Sequence, residues 1–399
     1  MTEELFRHDG YQFEFQAQVE SIDGELVVLD RTAFYPGGGG QVCDTGTLDD
    51  YLVTEAFYDK KGDVAHRVPG HSYSVGDDVW GSVDWNRRFD LMMGHTAEHL
   101  LFGSLRREVP DLEISKIFIS PESKYVIVSK DVSWKDIRKA VVFANAAIRD
   151  NLTVSRIMMS RDDPDLADKV RIKLDRIPEE EEISVVAIGD IDYSACSGVH
   201  VMETSELGMI FVDRKVSAGK DGMAIHFKVG DTATDSAMEL AVTCLEAAEA
   251  ADSKPEDIVK AVSNMKKEIE ISRASLRESS RALLSSVEPR NVNGTFVYSA
   301  MVHGADRTVM AEAAEKVKSK GGVAAFVSYG ETVSAVMSSG STKTDCRMVL
   351  TEVLGKFGGR GGGKPDFAQG GIPDPDKGED LLEAMEDAIV KSLSLSNIN

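Results

Sequence analysis

Four side chains in two short strings constrain this chain more than its length does. In GHTAEHLL, His95 and His99 stand four residues apart; in DYSACSGVH, Cys196 and His200 repeat that spacing about a hundred residues later. Positions i and i+4 of a helix share a face, so the histidine pair can aim two donors at one point. Two imidazoles, a thiolate and a third imidazole make a tetrahedral zinc set. A fold that uses it must press a helix against a loop from the other side of the sequence. A lone HxxxH is more often packing or surface; the second pair, at the start of a loop, turns the pattern into a site. A metal-centred hydrolase is the leading expectation. Four protein ligands mark closed structural zinc sites, whereas catalytic zinc keeps a position open. Either one ligand loosens, coordination expands, or the metal fixes the pocket while another group positions water. Glu98, adjacent to His99, is expected on a solvated face rather than as a general base.

The 399 residues suffice for two to four domains. There is no apolar run of about 18 residues and no signal-peptide pattern, so no membrane span is expected and a cytoplasmic location is the default. The four cysteines, Cys43, Cys196, Cys244 and Cys346, are scattered without a CxxC, which fits a reducing compartment. Cys43, Cys244 and Cys346 are expected in the core. The formal net charge of −22 argues by itself against a nucleic-acid partner, since phosphate binding needs Lys and Arg; a local basic patch would be required.

The expected fold class is α+β, in four segments. Residues 1–84 form a small β-rich N-terminal domain: FEFQAQVESI and ELVVLD are strand-like around a DG turn and lead to the loop FYPGGGGQ, Phe34 to Gln41. Residues 85–231 form an α/β metal-binding domain, opening near Asp84 with a helix that carries His95 and His99 through Leu105. EISVVAIGDID is a strand leading into the Cys196 loop, and EEEE (Glu179–Glu182) a solvated turn before it. Residues 232–288 are helical, with charges interleaved among sparse apolar positions, which suits a helical hairpin or a dimer seam. Residues 289–399 form a C-terminal α/β domain with strands TFVYSAMV, GGVAAFVSYG and VSAVMSSG and the glycine-rich loop GGRGGGKPDFAQGG. The other histidines, His8, His66, His71, His226 and His303, have no second donor at ligand spacing and are expected to be ordinary surface or satisfied residues.

FYPGGGGQ, GHTAEHLL, ACSGVHVMETSELGMI and GGRGGGKPDFAQGG, in this order, resemble the editing half of alanyl-tRNA synthetase, and most of all its free-standing AlaX-type relatives in the long form. The resemblance covers essentially the whole chain. It implies a trans-editing hydrolase that cleaves the ester of tRNA(Ala) mischarged with serine or glycine, with Zn2+ as cofactor and no segment left for aminoacylation. It makes His95, His99, Cys196 and His200 the zinc ligands, and Gly37, Gly38, Gly39, Gly40 and Gln41 the lining for the aminoacyl-adenosine end. It makes Arg360 and Lys364 phosphate contacts to tRNA, and gives the helical and C-terminal segments a role in a homodimer. Gly37 stands where many members have Thr, a position tied to the serine hydroxyl, so the serine-versus-glycine preference is the property most exposed to change. Ser197, Val199 and Ala224 also depart from the family pattern. The rival is a zinc-containing tRNA-binding protein without efficient deacylation. A DHH-type phosphodiesterase, suggested by the glycine-rich tail, lacks any DHH string.

Overall fold

A computed structural model describes residues 1–172, 182–341 and 343–395. Helices and strands are mixed throughout, and the chain divides into two compact units, Met1–Glu246 and Ala247–Asn399. The boundary falls inside the helix Asp231–Ala250.

The first unit opens on a seven-stranded antiparallel sheet. Its order is Tyr51–Val53, Gly46–Leu48, Asp78–Val83, Glu14–Asp23, Leu26–Leu29, Val64–Arg67, Glu55–Tyr58. The long strand alternates as one covered face demands: Phe15, Ala17 and Val19 point into the core while Glu14, Gln16 and Gln18 face out. The DG turn is where the sequence puts it, with Asp23 paired to Leu26.

The helix Trp85–Glu108 is the spine of the unit. Asp84 caps it, its side chain accepting from the Arg87 N–H. A surface helix would show one apolar stripe, but here nearly every residue from Leu91 to Leu105 is buried. The reason is cover on several sides. A four-stranded antiparallel sheet, in the order Ile114–Ile119, Lys124–Val128, Met223–Val229, Ile210–Ser217, packs against it, as does the helix Trp134–Arg149. Leu91, Leu100, Leu101 and Phe102 are fully buried there, each contributing roughly 1.5–3 kcal/mol of transfer free energy. A three-stranded antiparallel sheet, Val154–Met159, Ile183–Ile188 and Asp192–Ala195, ends at Cys196. Of the acidic run expected as a solvated turn, Glu179 to Glu181 lie outside the described residues.

In the second unit the helix Ile258–Ser285 precedes a six-stranded mixed sheet. Its strands Thr295–His303, Val323–Tyr329 and Val333–Ser339 coincide with the three apolar runs in the sequence. The glycine-rich tail corrects an expectation. It is a hairpin rather than a loop: Phe367–Ile372 pairs with Val333–Ser339, and Arg360–Lys364 forms the sheet edge. Pairing to a strand already in place supplies the order that three successive glycines lack by propensity. Two cysteines also differ from expectation. Cys244 is exposed on its helix and Cys43 is half-buried against the seven-stranded sheet, while Cys346 is buried.

Candidate metal centre

The spine helix and the loop after Asp192–Ala195 bring His95, His99, Cys196 and His200 together, with one donor atom of each within 4.8 Å of the others. The Cys196 thiol lies 3.3 Å from His200 Nε2 and 3.5 Å from His95 Nε2. Each imidazole has its outer nitrogen occupied. His95 Nδ1 donates to Gln41 Oε1 at 2.8 Å and His99 Nδ1 to Asp192 Oδ2 at 2.9 Å, and His200 Nδ1 shares a hydrogen bond with Thr96 Oγ1 at 3.1 Å. With the three Nδ1 atoms so engaged, the three rings turn Nε2 toward the thiol. Outer partners of this kind fix the tautomer and ring angle of metal-binding histidines.

Electrostatics point the same way. Burial alone would raise the Cys196 thiol, but His95 and His200 hold it well below the ordinary thiol value. Burial, then His95, pushes His200 down to about 3. Burial also works against a charge on His99, yet Asp192, Cys196 and Glu98 lift it to about 10. The pocket thus gathers Cys196, Asp192 and Glu98 and draws a positive charge to His99. A metal ion meets the same demand. Three imidazoles and a thiolate suit a borderline-soft ion such as zinc, and the orphaned Glu98 carboxylate fits a centre whose cation completes it.

Glu98 overturns the expectation of a solvated face. It is fully buried, with its carboxylate 3.7 Å from His99 Nε2. Adjacency to His99 suggested divergence, but Glu98 is also three residues after His95, and positions i and i+3 are neighbours on a helix.

The glycine loop is stitched in place rather than loose. Ile119 N–H donates to Gly40 O at 2.8 Å, and Val42 N–H donates to Ile119 O at 3.1 Å. Below it, the fully buried Arg88 pairs with Asp44, whose other contact holds the Tyr35 N–H at 2.7 Å. Gln41 is therefore presented to His95 by an anchored loop. Gly37 has φ 78°, a backbone conformation in which a threonine would be strained. Gly198 faces His95 so closely that a Cβ would strike the ring, and Arg156 caps the Gly198 carbonyl. Ser197 is exposed and Val199 buried on either side of it. Gly39, Gly40, Ile117, Arg171 and Ala195 border a cavity of about 1030 Å³. Arg360 and Lys364 belong to the second unit, both exposed on the edge strand.

Three family models match the chain: tRNA synthetases class II (A) over residues 6–87, the threonyl and alanyl tRNA synthetase second additional domain over 183–222, and the DHHA1 domain over 293–391. The alanine-tRNA ligases of Methanospirillum hungatei and Methanoculleus marisnigri are 32% and 31% identical to it over 409 and 411 residues, each alignment covering 98% of this chain. The chain belongs to the alanyl-tRNA synthetase family. It spans 44% of the length of either ligase, a little under half of the curated relatives it matches.

Within that family frame, the 183–222 match holds Cys196 and His200, and the 293–391 match holds the glycine hairpin. The sequence singled out the four donors and the glycine loop. It missed Asp192, Thr96 and Arg171. A weak signal was present for Asp192, a carboxylate four residues before the cysteine, and for Thr96, enclosed by the two histidines. Nothing in the linear sequence marks Arg171, which reaches Asp192 at 3.4 Å and lies 4.9 Å over the Phe102 ring.

Proposed function

We propose that this chain is a trans-editing hydrolase that deacylates tRNA(Ala) mischarged with serine or glycine, with zinc held by His95, His99, Cys196 and His200. The observation that carries it is the convergence of four donors whose three imidazoles all turn Nε2 inward. A bound zinc ion supplies the positive charge that polarises an ester carbonyl and eases ionisation of water. The chain's own groups do the rest. Gln41, Asp192 and Thr96 fix the imidazoles. Gly39 and Gly40 bring backbone amides, unshielded by side chains, to the wall of the adjoining cavity, where they would face a developing oxyanion. That cavity has the size of a site for one aminoacyl-adenosine end.

The second unit would grip the RNA and join two copies. Arg360 and Lys364 share one face of the edge strand, about 13 Å apart at strand rise, with only glycines between them, so a phosphate backbone can approach closely. Val262, Met265, Ile269, Leu276 and Leu283 are exposed at three-, four- and seven-residue steps along the helix Ile258–Ser285, the spacing of a coiled-coil seam. No helix among the described residues is long and apolar enough to cross a membrane; a cytoplasmic location is part of the proposal. The alternative, a zinc-containing tRNA-binding protein without efficient deacylation, draws on the complete four-donor set, which is the pattern of closed structural sites. Zinc content and deacylation of seryl-tRNA(Ala) by wild type and Cys196→Ala test the proposal. Joint loss is expected; full deacylation by a metal-free Cys196→Ala protein would refute it.

A further inference from the structure

Glu98 is the one fully buried carboxylate among the described residues for which neither oxygen has a hydrogen-bond partner. Both oxygens are closed to solvent. The nearest cationic groups stand too far for a hydrogen bond: His99 Nε2 at 3.7 Å and Arg171 Nη1 at 4.0 Å. Asp192, by contrast, accepts from His99, Ser194 and Arg171. Taking an ionised carboxylate out of water costs several kcal/mol unless a partner is close. The chain supplies none at contact distance, yet it holds this carboxylate beside the inward-facing nitrogen of His99. Outward rotation is closed off, since the spine helix is covered on several sides there.

We infer that Glu98 is a fifth, carboxylate donor of the metal centre. His99 Nε2 is the donor nearest to that carboxylate, 3.7 Å from its Oε2; Glu98 stands outside the four-donor cluster and would turn toward it when an ion binds. A fifth donor bears on the tension between a closed four-ligand set and a working site. If a carboxylate can enter as another ligand loosens, coordination changes without exposing the ion. Arg171, 3.4 Å from Asp192 and 4.0 Å from Glu98, would limit how far that carboxylate swings. The inference rests on the metal centre proposed above.

The test uses the full chain with zinc, then Co(II) in its place. Glu98→Gln keeps size and removes charge. Its zinc affinity, measured against a competing chelator, is expected to fall ten- to a hundredfold, and the visible bands of the Co(II) protein should shift toward those of a four-donor site. A wild-type affinity and an unchanged Co(II) spectrum would overturn the inference while leaving the four-donor centre standing. A lowered melting temperature with an unchanged spectrum would also overturn it, because that is what a purely structural pairing with Arg171 predicts. Wild-type chain that takes up neither metal would overturn both the fifth donor and the centre itself. Should Glu98→Gln fail to fold, Glu98→Asp keeps the charge but withdraws it by one methylene; a shifted Co(II) spectrum supports direct ligation, and a wild-type spectrum refutes it.

Discussion

Each histidine of the centre offers two nitrogens, and which one faces inward is decided by residues that do not belong to either motif. Asp192 orients His99 and is itself held below the usual carboxylate range: burial opposes that, and Arg171 and His99 outweigh it. Asp192→Asn should therefore weaken zinc binding about ten- to a hundredfold while the fold survives; chelator competition with circular dichroism checks it, and an unchanged affinity would deny Asp192 its orienting role. The four donors were legible because spacing alone pairs them. Their partners were not, since the His99–Asp192 contact closes across 93 residues. Glu98 was not legible as buried, because adjacency to His99 turns it away from the histidine face and only the cover packed around the rest of the helix closes it off from solvent. A second buried histidine behaves differently. His66 touches Thr32 and the Val27 carbonyl, and burial pushes it down to about 4. Its unfolded value is near 6.5, so the unfolded chain binds the extra proton between those limits. Its contribution is fully present above about pH 6.5 and declines by up to about 3 kcal/mol as pH falls toward 4. Urea midpoints of wild type and His66→Gln across that range should converge toward acid; parallel curves would contradict the assignment.

At the level of elements, apolar runs with β-branched residues mark the strands of the second unit correctly, because burial on both faces leaves a simple signal. The glycine hairpin was read as a loop because Arg360–Lys364 carries no strand signal of its own; its order comes from the paired Phe367–Ile372. The glycine loop of the first unit was likewise open to a flexible interpretation. What anchors it is remote in sequence, Arg88 under Asp44 and the strand Ile114–Ile119 beside Gly40. The helix Ile258–Ser285 shows a seam from sequence and an exposed one in the structure. Ile269, half exposed at 51%, sits mid-seam, so Ile269→Glu should shift the chain from dimer to monomer in sedimentation with its helicity kept. A wild-type chain that is monomeric at micromolar concentration would remove the seam as a dimer contact.

For the whole molecule, a net charge of −22 opposes an RNA partner, and the sequence shows no basic run to offset it. The structure places Arg360 and Lys364 on one face of an exposed edge. Two such contacts predict a modest salt dependence. In Arg360→Ala/Lys364→Ala chain, the slope of log affinity for tRNA against log salt should shrink by about 2. An unchanged slope would locate the phosphate contacts elsewhere. The two units carry separate tasks in this account, chemistry in Met1–Glu246 and grip in Ala247–Asn399. Hydrolysis is the central claim, and it is tested most directly by incubating metal-loaded protein with seryl-, glycyl- and alanyl-tRNA(Ala) and with Cys196→Ala in parallel. The account predicts rapid loss of the seryl or glycyl ester, sparing of the alanyl ester and no activity in the variant. Esters that all decay at the buffer rate, with tRNA still bound, would contradict it.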